Sequence, residues 1–322
     1  MTATESPRVL VADPLSSIGL ELLREHADVV VAADADELSK SLPQSDALIV
    51  RSRTRVTADL LRQGDRLQIV GRAGIGVDNI DVEAATDRGI LVINAPLGNV
   101  RSTAEHTIAL IFSLARRIVA ADAAVRNGTW KTGYEGVQLG GKRLGVIGAG
   151  KVGGQVATIG AAIGMEVVGY DPYLPEGYWH TLGVAKVQPD ELLATSDFVT
   201  LHVPLLPETL NLIGAAELAN MKRGAYLINC ARGGLVDEAA LAEALQSGHL
   251  AGAAVDVYET EPPESSPLLS APNIILTPHV AASTREAQAQ VSTDIATQVL
   301  DFFAGRPVSY AVNPSVLNKG AE

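Results

Sequence analysis

Three side chains that could share one reaction follow predicted strands in the second half of the chain. Arg232 comes after an apolar run at 227–231. Glu261 lies in the acidic loop after the next strand, and His279 follows the last one. Because ligands of open α/β sheets bind beyond the carboxyl ends of the strands, we expect all three to face one crevice. An arginine fork can hold a carboxylate and polarise a carbonyl, a histidine can exchange a proton, and a carboxylate can orient that histidine. The set predicts hydride transfer to or from a 2-keto or 2-hydroxy acid.

A glycine-rich turn earlier in the chain predicts a dinucleotide cofactor. The sequence Gly148-Ala-Gly-Lys-Val-Gly153 follows a predicted strand at 144–147 and leads into a helix, as a dinucleotide fingerprint requires. Asp171 closes the next apolar run, where the ribose-binding acid is expected. No arginine or lysine follows it through Glu176, which favours NAD over NADP. We expect no metal ion. The expected cofactor contacts are Gly148, Gly150, Lys151, Val152, Gly153, Asp171, Cys230 and Asp256.

A cluster of arginines in the first part of the chain predicts a phosphate pocket. Residues 51–72 hold six arginines and two aspartates, within a chain whose net charge is −12. Arg62 and Arg66 are expected on a solvated helix. Arg51, Arg53 and Arg72 each closely follow a predicted strand, and some of these three are expected to bind a phosphate. The expected substrate contacts are Arg51, Arg53, Arg72 and Gly74.

Alternating strand and helix patterns predict parallel sheets with helices on both faces. A first, flavodoxin-like domain is expected to have strands at 8–12, 29–31, 47–50, 68–70 and 90–93. Its helices are expected at 17–25, 34–41 and 57–61. A second, Rossmann domain is expected to have six strands, at 144–147, 166–170, 198–202, 226–229, 253–257 and 274–277.

The order of these patterns predicts that the Rossmann domain is inserted into the flavodoxin-like one. A capping box at Ser102–Glu105 should open a helix that runs to about residue 118 and enters the second domain. A final helix at 283–303 should return to complete the first. We therefore expect an α/β protein with a substrate-binding domain at 1–98 and 285–322. An NAD-binding Rossmann domain at 99–284 should face it across a cleft.

The composition favours a globular cytoplasmic protein. The chain has 322 residues, of which 47% are hydrophobic and 19% charged, enough for two domains. The net negative charge argues against a nucleic-acid surface. The single cysteine, Cys230, fits a reducing compartment. The first seven residues lack the features of a signal peptide, and the longest apolar helical stretch, 107–114, is too short to cross a membrane.

The sequence resembles the D-isomer-specific 2-hydroxyacid dehydrogenases over almost its whole length. The segments that carry the resemblance are 229–238 around the arginine, 251–258 before the glutamate, and 277–284 around the histidine. The resemblance implies catalytic roles for Arg232, Glu261 and His279. It also implies a split first domain completed by a C-terminal helix, and a homodimer or homotetramer formed through the nucleotide domain.

The substrate expectation rests on two further segments. Residues 50–54 and 71–80 resemble the substrate loops of family members that act on 3-phosphoglycerate and 3-phosphohydroxypyruvate in serine biosynthesis. A glyoxylate or hydroxypyruvate reductase is the alternative, and an NAD-sensing, corepressor-like binding protein is a third interpretation. Trp130-Lys131 resembles a segment that can reach a neighbouring subunit. The chain ends soon after Pro314, so we expect no appended regulatory domain.

Overall fold

A computed structural model describes residues 6–130 and 133–318 of the chain. Lys131, part of the segment expected to reach a neighbouring subunit, lies outside the described residues. Contacts within the chain divide it into two units, of which the first is built from both ends of the sequence. Unit 1 comprises Met1–Asn99 and Ser283–Glu322, and unit 2 comprises Val100–Ala282.

Unit 1 contains a five-stranded parallel sheet whose strand order is β2-β1-β3-β4-β5. This order is that of a flavodoxin-like fold and confirms the predicted fold class. All five strands are short. β1, β3, β4 and β5 are largely buried because their apolar runs are covered on both faces, whereas the edge strand β2 is partly exposed. The elements are β1 (Arg8–Val11), α1 (Ser17–Arg24), β2 (Asp28–Val31), α2 (Ala35–Ser41), β3 (Ala47–Val50), α3 (Ala58–Arg62), β4 (Ile69–Arg72), α4 (Val82–Asp87) and β5 (Leu91–Asn94).

Unit 2 begins with two helices, α5 (Val100–Ala115) and α6 (Ile118–Arg126). The prediction that Ser102 caps the first of them was wrong. The helix already begins at Val100, and Ser102 is buried inside its first turn. The predicted end near residue 118 was also wrong, because Arg117 adopts a left-handed conformation (φ 53°) that separates the two helices.

The rest of unit 2 is a seven-stranded parallel sheet in the order β12-β11-β10-β9-β6-β7-β8. The chain therefore proceeds outward from β6 in one direction and then returns to build the other side, which is the doubly wound Rossmann order. Six strands were predicted, and the seventh, β8, is a two-residue edge strand. The elements are β6 (Arg143–Ile147), α7 (Lys151–Ala162), β7 (Glu166–Tyr170), α8 (Glu176–Leu182), β8 (Ala185–Lys186), α9 (Pro189–Thr195), β9 (Phe198–Leu201), α10 (Ala215–Asn220), β10 (Tyr226–Asn229), α11 (Glu238–Gln246), β11 (Gly252–Val255) and β12 (Ile274–Leu276).

The chain then returns to unit 1 through α12 (Arg285–Phe303), and α13 (Ser315–Asn318) is the last element of the described residues. Thr284 caps α12, since its hydroxyl accepts a hydrogen bond from the Ala287 N–H. Ile295 is fully buried on this helix and faces Gly71 of β4. A Cβ atom at Gly71 would lie 2.9 Å from Ile295 Cγ1, so glycine allows the helix to approach the sheet. Within the described ranges, no helix is both long and apolar enough to span a bilayer.

Candidate active site

Arg232, Glu261 and His279 lie in the loops that follow three neighbouring strands of unit 2. The last residues of β10, β11 and β12 are partners in register, so their chains leave the sheet at the same edge. Arg232 and His279 each stand three residues beyond their strands, and Glu261 stands six residues beyond β11. The fold therefore brings a guanidinium, a carboxylate and an imidazole to one end of the sheet.

His279 and Glu261 form a direct pair. His279 Nδ1 lies 2.8 Å from Glu261 Oε2, and the other carboxylate oxygen accepts a hydrogen bond from the Tyr258 N–H at 3.2 Å. Partial burial raises the pKa of Glu261, but the hydrogen bond and charge of His279 outweigh it, so the pKa lies below its usual range. Glu261 is thus ionised near neutral pH. Because Nδ1 is engaged, Nε2 is the ring nitrogen left to exchange a proton with a ligand.

Residues on both sides of His279 are anchored to one buried carboxylate. Asp256 is fully buried and accepts hydrogen bonds from Thr277 Oγ1 at 2.5 Å and from the Val280 and Ala281 N–H groups at 2.9 Å each. These bonds hold His279 in a left-handed conformation (φ 53°) that few non-glycine residues adopt. Asp256 therefore positions the histidine loop.

His106 on α5 adds a further partner to this carboxylate. Its Nε2 lies 3.6 Å from Asp256 Oδ1. Burial raises the pKa of Asp256. The nearby His106 and the hydrogen bonds from Thr277 and the loop N–H groups lower it, and the pKa lies below its usual range. The sequence prediction placed Asp256 among the cofactor contacts. Its carboxylate points into the histidine loop, and a contact with the cofactor stays a prediction.

Asn229, which the sequence reasoning missed, clamps the arginine loop. Its Oδ1 accepts from the Ala231 N–H at 3.0 Å, and its Nδ2 donates to the Arg232 carbonyl at 2.9 Å. Gly233 then packs against the Tyr258 carbonyl, where a Cβ atom would lie only 1.8 Å from the oxygen. This contact joins the arginine loop to the loop that leads to Glu261. An asparagine directly at a strand end is the one sequence signal that could have revealed the clamp.

The glycine turn after β6 fits a dinucleotide. Gly148 has a φ of 86°, and a Cβ there would lie 2.8 Å from the backbone of His202. A Cβ at Gly153 would lie 2.0 Å from the Gly148 carbonyl, so helix α7 can pack closely only with glycine. At Gly150, in contrast, no atom lies within 4 Å of an added Cβ. The first and third glycines therefore shape the turn, while the second leaves the room that a pyrophosphate needs.

The remaining expected cofactor residues surround this turn. Lys151 and Val152 are the first two residues of α7, and the N-terminus of a helix favours an anion. Asp171 directly follows β7, whose last residue pairs with the last residue of β6. Its Oδ1 accepts from the Tyr173 N–H at 3.0 Å. The acid thus stands beside the glycine turn, as a ribose contact requires.

Cys230 and His202 are the two other reactive side chains near this edge. Burial and the charge of Asp256 raise the pKa of Cys230 to about 12, so it remains a thiol near neutral pH. Its predicted place beside the nicotinamide stays a prediction. Burial lowers the pKa of His202 to about 3, which leaves this imidazole uncharged. It lies 3.1 Å from Thr200 Oγ1.

In unit 1, Arg51 directly follows β3 and is held in place by Asp13. The Asp13 carboxylate, only 4% exposed, accepts from the Arg51 N–H at 2.6 Å and from Thr54 Oγ1 at 2.9 Å. Burial lowers the pKa of the Arg51 guanidinium; Asp13 opposes this effect and the nearby charge of Arg53 adds to it. Arg51 Nε is buried and has no hydrogen-bond partner among the described residues. Arg53 is exposed.

Arg72 and Gly74 lie together after β4. Arg72 is the last residue of that strand and pairs in register with Val50 of β3. Gly74 has a φ of 151°, and a Cβ there would lie 1.5 Å from Arg72 Nη1. The guanidinium is therefore folded over the glycine. Arg62 and Arg66, expected on a solvated helix, form ion pairs with Asp59 and Asp46, and Arg66 lies beyond the end of α3.

Comparison with known proteins places this arrangement in a family. Residues 108–281 match the model of the NAD binding domain of D-isomer specific 2-hydroxyacid dehydrogenases. The chain belongs to this family, and unit 2 contains its NAD-binding domain. The family that the sequence analysis named is confirmed.

Individual relatives agree with this assignment. D-3-phosphoglycerate dehydrogenase of Archaeoglobus fulgidus is 47% identical over 315 residues, which are 96% of this chain and 60% of that protein. The TT0316 protein from Thermus thermophilus is 36% identical in sequence to this chain. Its crystal structure matches with a TM-score of 0.84, and the match covers 95% of this chain and 99% of the TT0316 chain. NAD-dependent formate dehydrogenase from Staphylococcus aureus, solved in complex with NAD, is 30% identical with a TM-score of 0.84, covering 94% and 97%. The chain spans about 60% of the length of the curated relatives that it matches.

Proposed function

We propose that the chain is an NAD-dependent oxidoreductase that interconverts a small D-2-hydroxy acid and the corresponding 2-keto acid. The observation that carries the proposal is the 2.8 Å pair between His279 Nδ1 and Glu261 Oε2. The pair lies at the strand edge that also bears Arg232, within a domain of an NAD-binding family. Paired imidazole and carboxylate groups at such an edge suit proton exchange with a substrate oxygen.

Each of the three residues has a role in this proposal. Arg232 binds the substrate carboxylate and polarises the carbonyl at C2. His279 donates a proton from Nε2 to the oxygen on C2 during reduction and accepts it during oxidation. Glu261 keeps the histidine ring oriented and favours its charged form. NAD, held by the glycine turn and Asp171, supplies the hydride acceptor or donor.

We further propose 3-phosphoglycerate and 3-phosphohydroxypyruvate, the pair used in serine biosynthesis, as the substrates. Relatives that are 43–47% identical over most of this chain are D-3-phosphoglycerate dehydrogenases. Arg51, Arg53, Arg72 and Gly74 are the proposed substrate contacts of unit 1. A buried guanidinium nitrogen on Arg51 that lacks a partner among the described residues, with a second like charge close by, supports an anion there.

The activity is tested by following NADH oxidation with phosphohydroxypyruvate, hydroxypyruvate and glyoxylate in parallel. A clear preference for the phosphorylated acid supports the proposal. Turnover without that preference indicates a hydroxypyruvate or glyoxylate reductase, and no turnover indicates an NAD-sensing binding protein. His279→Ala should lower kcat by about 100-fold or more while NADH binding stays close to that of the wild type.

The phosphate contacts are tested by replacing Arg51, Arg53 and Arg72 singly with glutamine. Loss of one charged hydrogen bond should raise the KM for phosphohydroxypyruvate about tenfold or more, and the KM for hydroxypyruvate much less. Arg62→Gln is the matched control, because Arg62 pairs with Asp59 on α3. Equal losses on both substrates would show that these arginines do not recognise the phosphate.

We propose that the protein is a cytoplasmic homodimer or homotetramer that associates through unit 2. Helix α6 exposes Ile118, Val119 and Val125, and α5 exposes Phe112. Exposed apolar side chains on neighbouring helices support a subunit contact there. The single cysteine is a buried free thiol, as fits a reducing compartment. Sedimentation of the wild type and of Val119→Asp tests the association; a monomeric wild type would contradict it. Cell fractionation tests the location.

A further inference from the structure

A tyrosine outside the dinucleotide fingerprint contacts the glycine turn. Tyr178 lies on α8, and its hydroxyl donates a hydrogen bond to the Ala149 carbonyl at 3.0 Å. Ala149 is fully buried between Gly148 and Gly150, the first two glycines of the turn. The side chain therefore fixes a peptide group at the centre of the proposed cofactor site.

The geometry of that peptide gives the bond a consequence for an anion. In a trans peptide the C=O and the following N–H point in opposite directions. With its carbonyl held by Tyr178, the peptide between Ala149 and Gly150 aims the Gly150 N–H away from α8. Gly150 is also the position at which an added Cβ would find nothing within 4 Å. The Gly150 N–H therefore points away from Tyr178. Gly150 is also the residue at which the turn leaves room for a ligand.

Two neighbouring features hold Tyr178 in place. Gly154 of α7 leaves room for the hydroxyl, since a Cβ there would lie 2.8 Å from Tyr178 Oη. Trp179 is only 3% exposed and packs against Gly169 of β7, where an added Cβ would lie 2.5 Å from the tryptophan ring. The Trp179 and Tyr178 rings meet edge-on, with their centroids 6.5 Å apart. Helix α8 is thereby fixed to the sheet, and the tyrosine is fixed to α8.

We propose that Tyr178 is a positioning residue for the dinucleotide pyrophosphate, acting through the Ala149–Gly150 peptide. The inference rests on the proposed cofactor site at the glycine turn. Tyr178 itself touches the protein backbone, and the oriented N–H group binds the phosphate oxygen. The residue lies 25 positions beyond the last glycine of the fingerprint, so the motif alone does not reveal it.

The first test removes only the hydroxyl. Tyr178→Phe should weaken NADH binding, measured by fluorescence titration, by about threefold to tenfold, the range of one uncharged hydrogen bond. The KM for NADH should rise by the same factor while kcat changes little. ADP-ribose, which carries the pyrophosphate, should lose affinity in competition with NADH, and adenosine should not. Tyr226→Phe is the matched control, because Tyr226 is the first residue of β10, at the end of that strand opposite the Arg232 loop.

A second variant approaches the same bond from the other side. Gly154→Ala should displace the Tyr178 hydroxyl and weaken NADH binding to a similar extent. In the Tyr178→Phe background the same change should add little, because the displaced hydroxyl is already absent. A double-mutant cycle on the NADH dissociation constants measures this coupling, and additive losses would overturn the proposal.

The outcomes separate the inference from the proposed function. If the wild type binds NADH and Tyr178→Phe binds it equally well, the positioning role is wrong. An equal loss of ADP-ribose and adenosine affinity would also overturn it, because that result indicates a general displacement of α8. A folded wild type that does not bind NADH would contradict the proposed function itself.

Discussion

His279 shows how one residue can depend on the groups around it. A non-glycine residue in the left-handed region costs about 1–3 kcal/mol, and such strain persists only where the surroundings enforce it. Here the hydrogen bonds that Asp256 accepts from the Thr277 hydroxyl and from the Val280 and Ala281 N–H groups hold the residues on both sides of the histidine. The bond to Glu261 fixes the ring. Asp256 thus fixes the backbone conformation at His279, and Glu261 fixes the orientation of its ring.

The pair between Glu261 and His279 predicts a pH-dependent contribution to stability. The pKa of Glu261 is lowered in the folded protein, so its stabilising effect is fully present above the pKa of the unfolded chain, about 4.3. It is lost as the pH falls through the lower, folded pKa. Glu261→Gln should therefore be less stable than the wild type at pH 7, and the difference should shrink as the pH falls below the pKa of the unfolded chain and through the lower, folded pKa. Urea unfolding of both proteins between about pH 7 and about pH 3 measures the difference.

A control for this prediction lies in the same loop. Glu264 is exposed three residues beyond Glu261. Glu264→Gln removes a negative charge from the loop and should leave the stability of the protein nearly unchanged at every pH. A constant difference between the wild type and Glu261→Gln across the whole pH range would show that the ion pair does not cause it.

At the scale of elements, the contact between two loops sets the distance between Arg232 and Glu261. A Cβ at Gly233 would lie 1.8 Å from the Tyr258 carbonyl, which is backbone and cannot rotate away. Gly233→Ala should therefore push the arginine loop from its neighbour and lower kcat/KM for the keto acid by about 100-fold or more, since small displacements of positioning groups have effects of that size. Steady-state kinetics measure the loss, and NADH titration shows whether the cofactor site is intact.

Gly177→Ala is the matched control for that substitution. Gly177 lies in α8, and no atom lies within 4 Å of an added Cβ. Alanine is the better helix former, so this variant should be as stable as the wild type or slightly more stable. If Gly233→Ala behaves like Gly177→Ala, the packing of the two loops does not control the arginine.

The elements that the sequence predicted well are those whose signal is local. Short, mainly apolar runs predicted β3, β7 and β10 at their observed bounds, and β3 is buried at every position, as a strand covered on both faces should be. The two-residue strand β8 has no such run and was missed. The start of α5 was misplaced because a capping-box pattern at Ser102 occurs inside a helix that begins two residues earlier.

The clamps of the candidate site could not be predicted from local patterns. Asp13 is 38 residues from Arg51, and Asp256 is 25 residues from Ala281, so only the folded chain brings the partners together. The identity of Arg232, Glu261 and His279 could be predicted because strand ends of a parallel sheet share one edge. Their hydrogen-bond partners depend on side-chain directions that spacing alone does not specify.

At the scale of the whole molecule, unit 1 depends on the last part of the chain. Val291, Ile295 and Val299 of α12 are buried, and they join the core formed by β1, β3, β4 and β5. The sheet of unit 1 is therefore complete in sequence by residue 94, but the core on one of its faces, which also includes Leu23 of α1, is completed only after the chain returns at Ser283. Unit 2 has cores of its own, and among the described residues none of α12 takes part in them.

This division predicts that a destabilising substitution in α12 lowers the stability of unit 1 and not that of unit 2. Ile295→Ala removes a fully buried side chain and should destabilise the sheet of unit 1 by about 2–5 kcal/mol. Hydrogen exchange followed by mass spectrometry should show faster exchange in β1, β3 and β4, while β6, β9 and β10 exchange at the wild-type rate. NADH affinity should also stay unchanged, because the proposed cofactor residues belong to unit 2. The exposed Glu286→Ala on the same helix is the control, and equal acceleration in both sheets would show that the two cores do not respond separately.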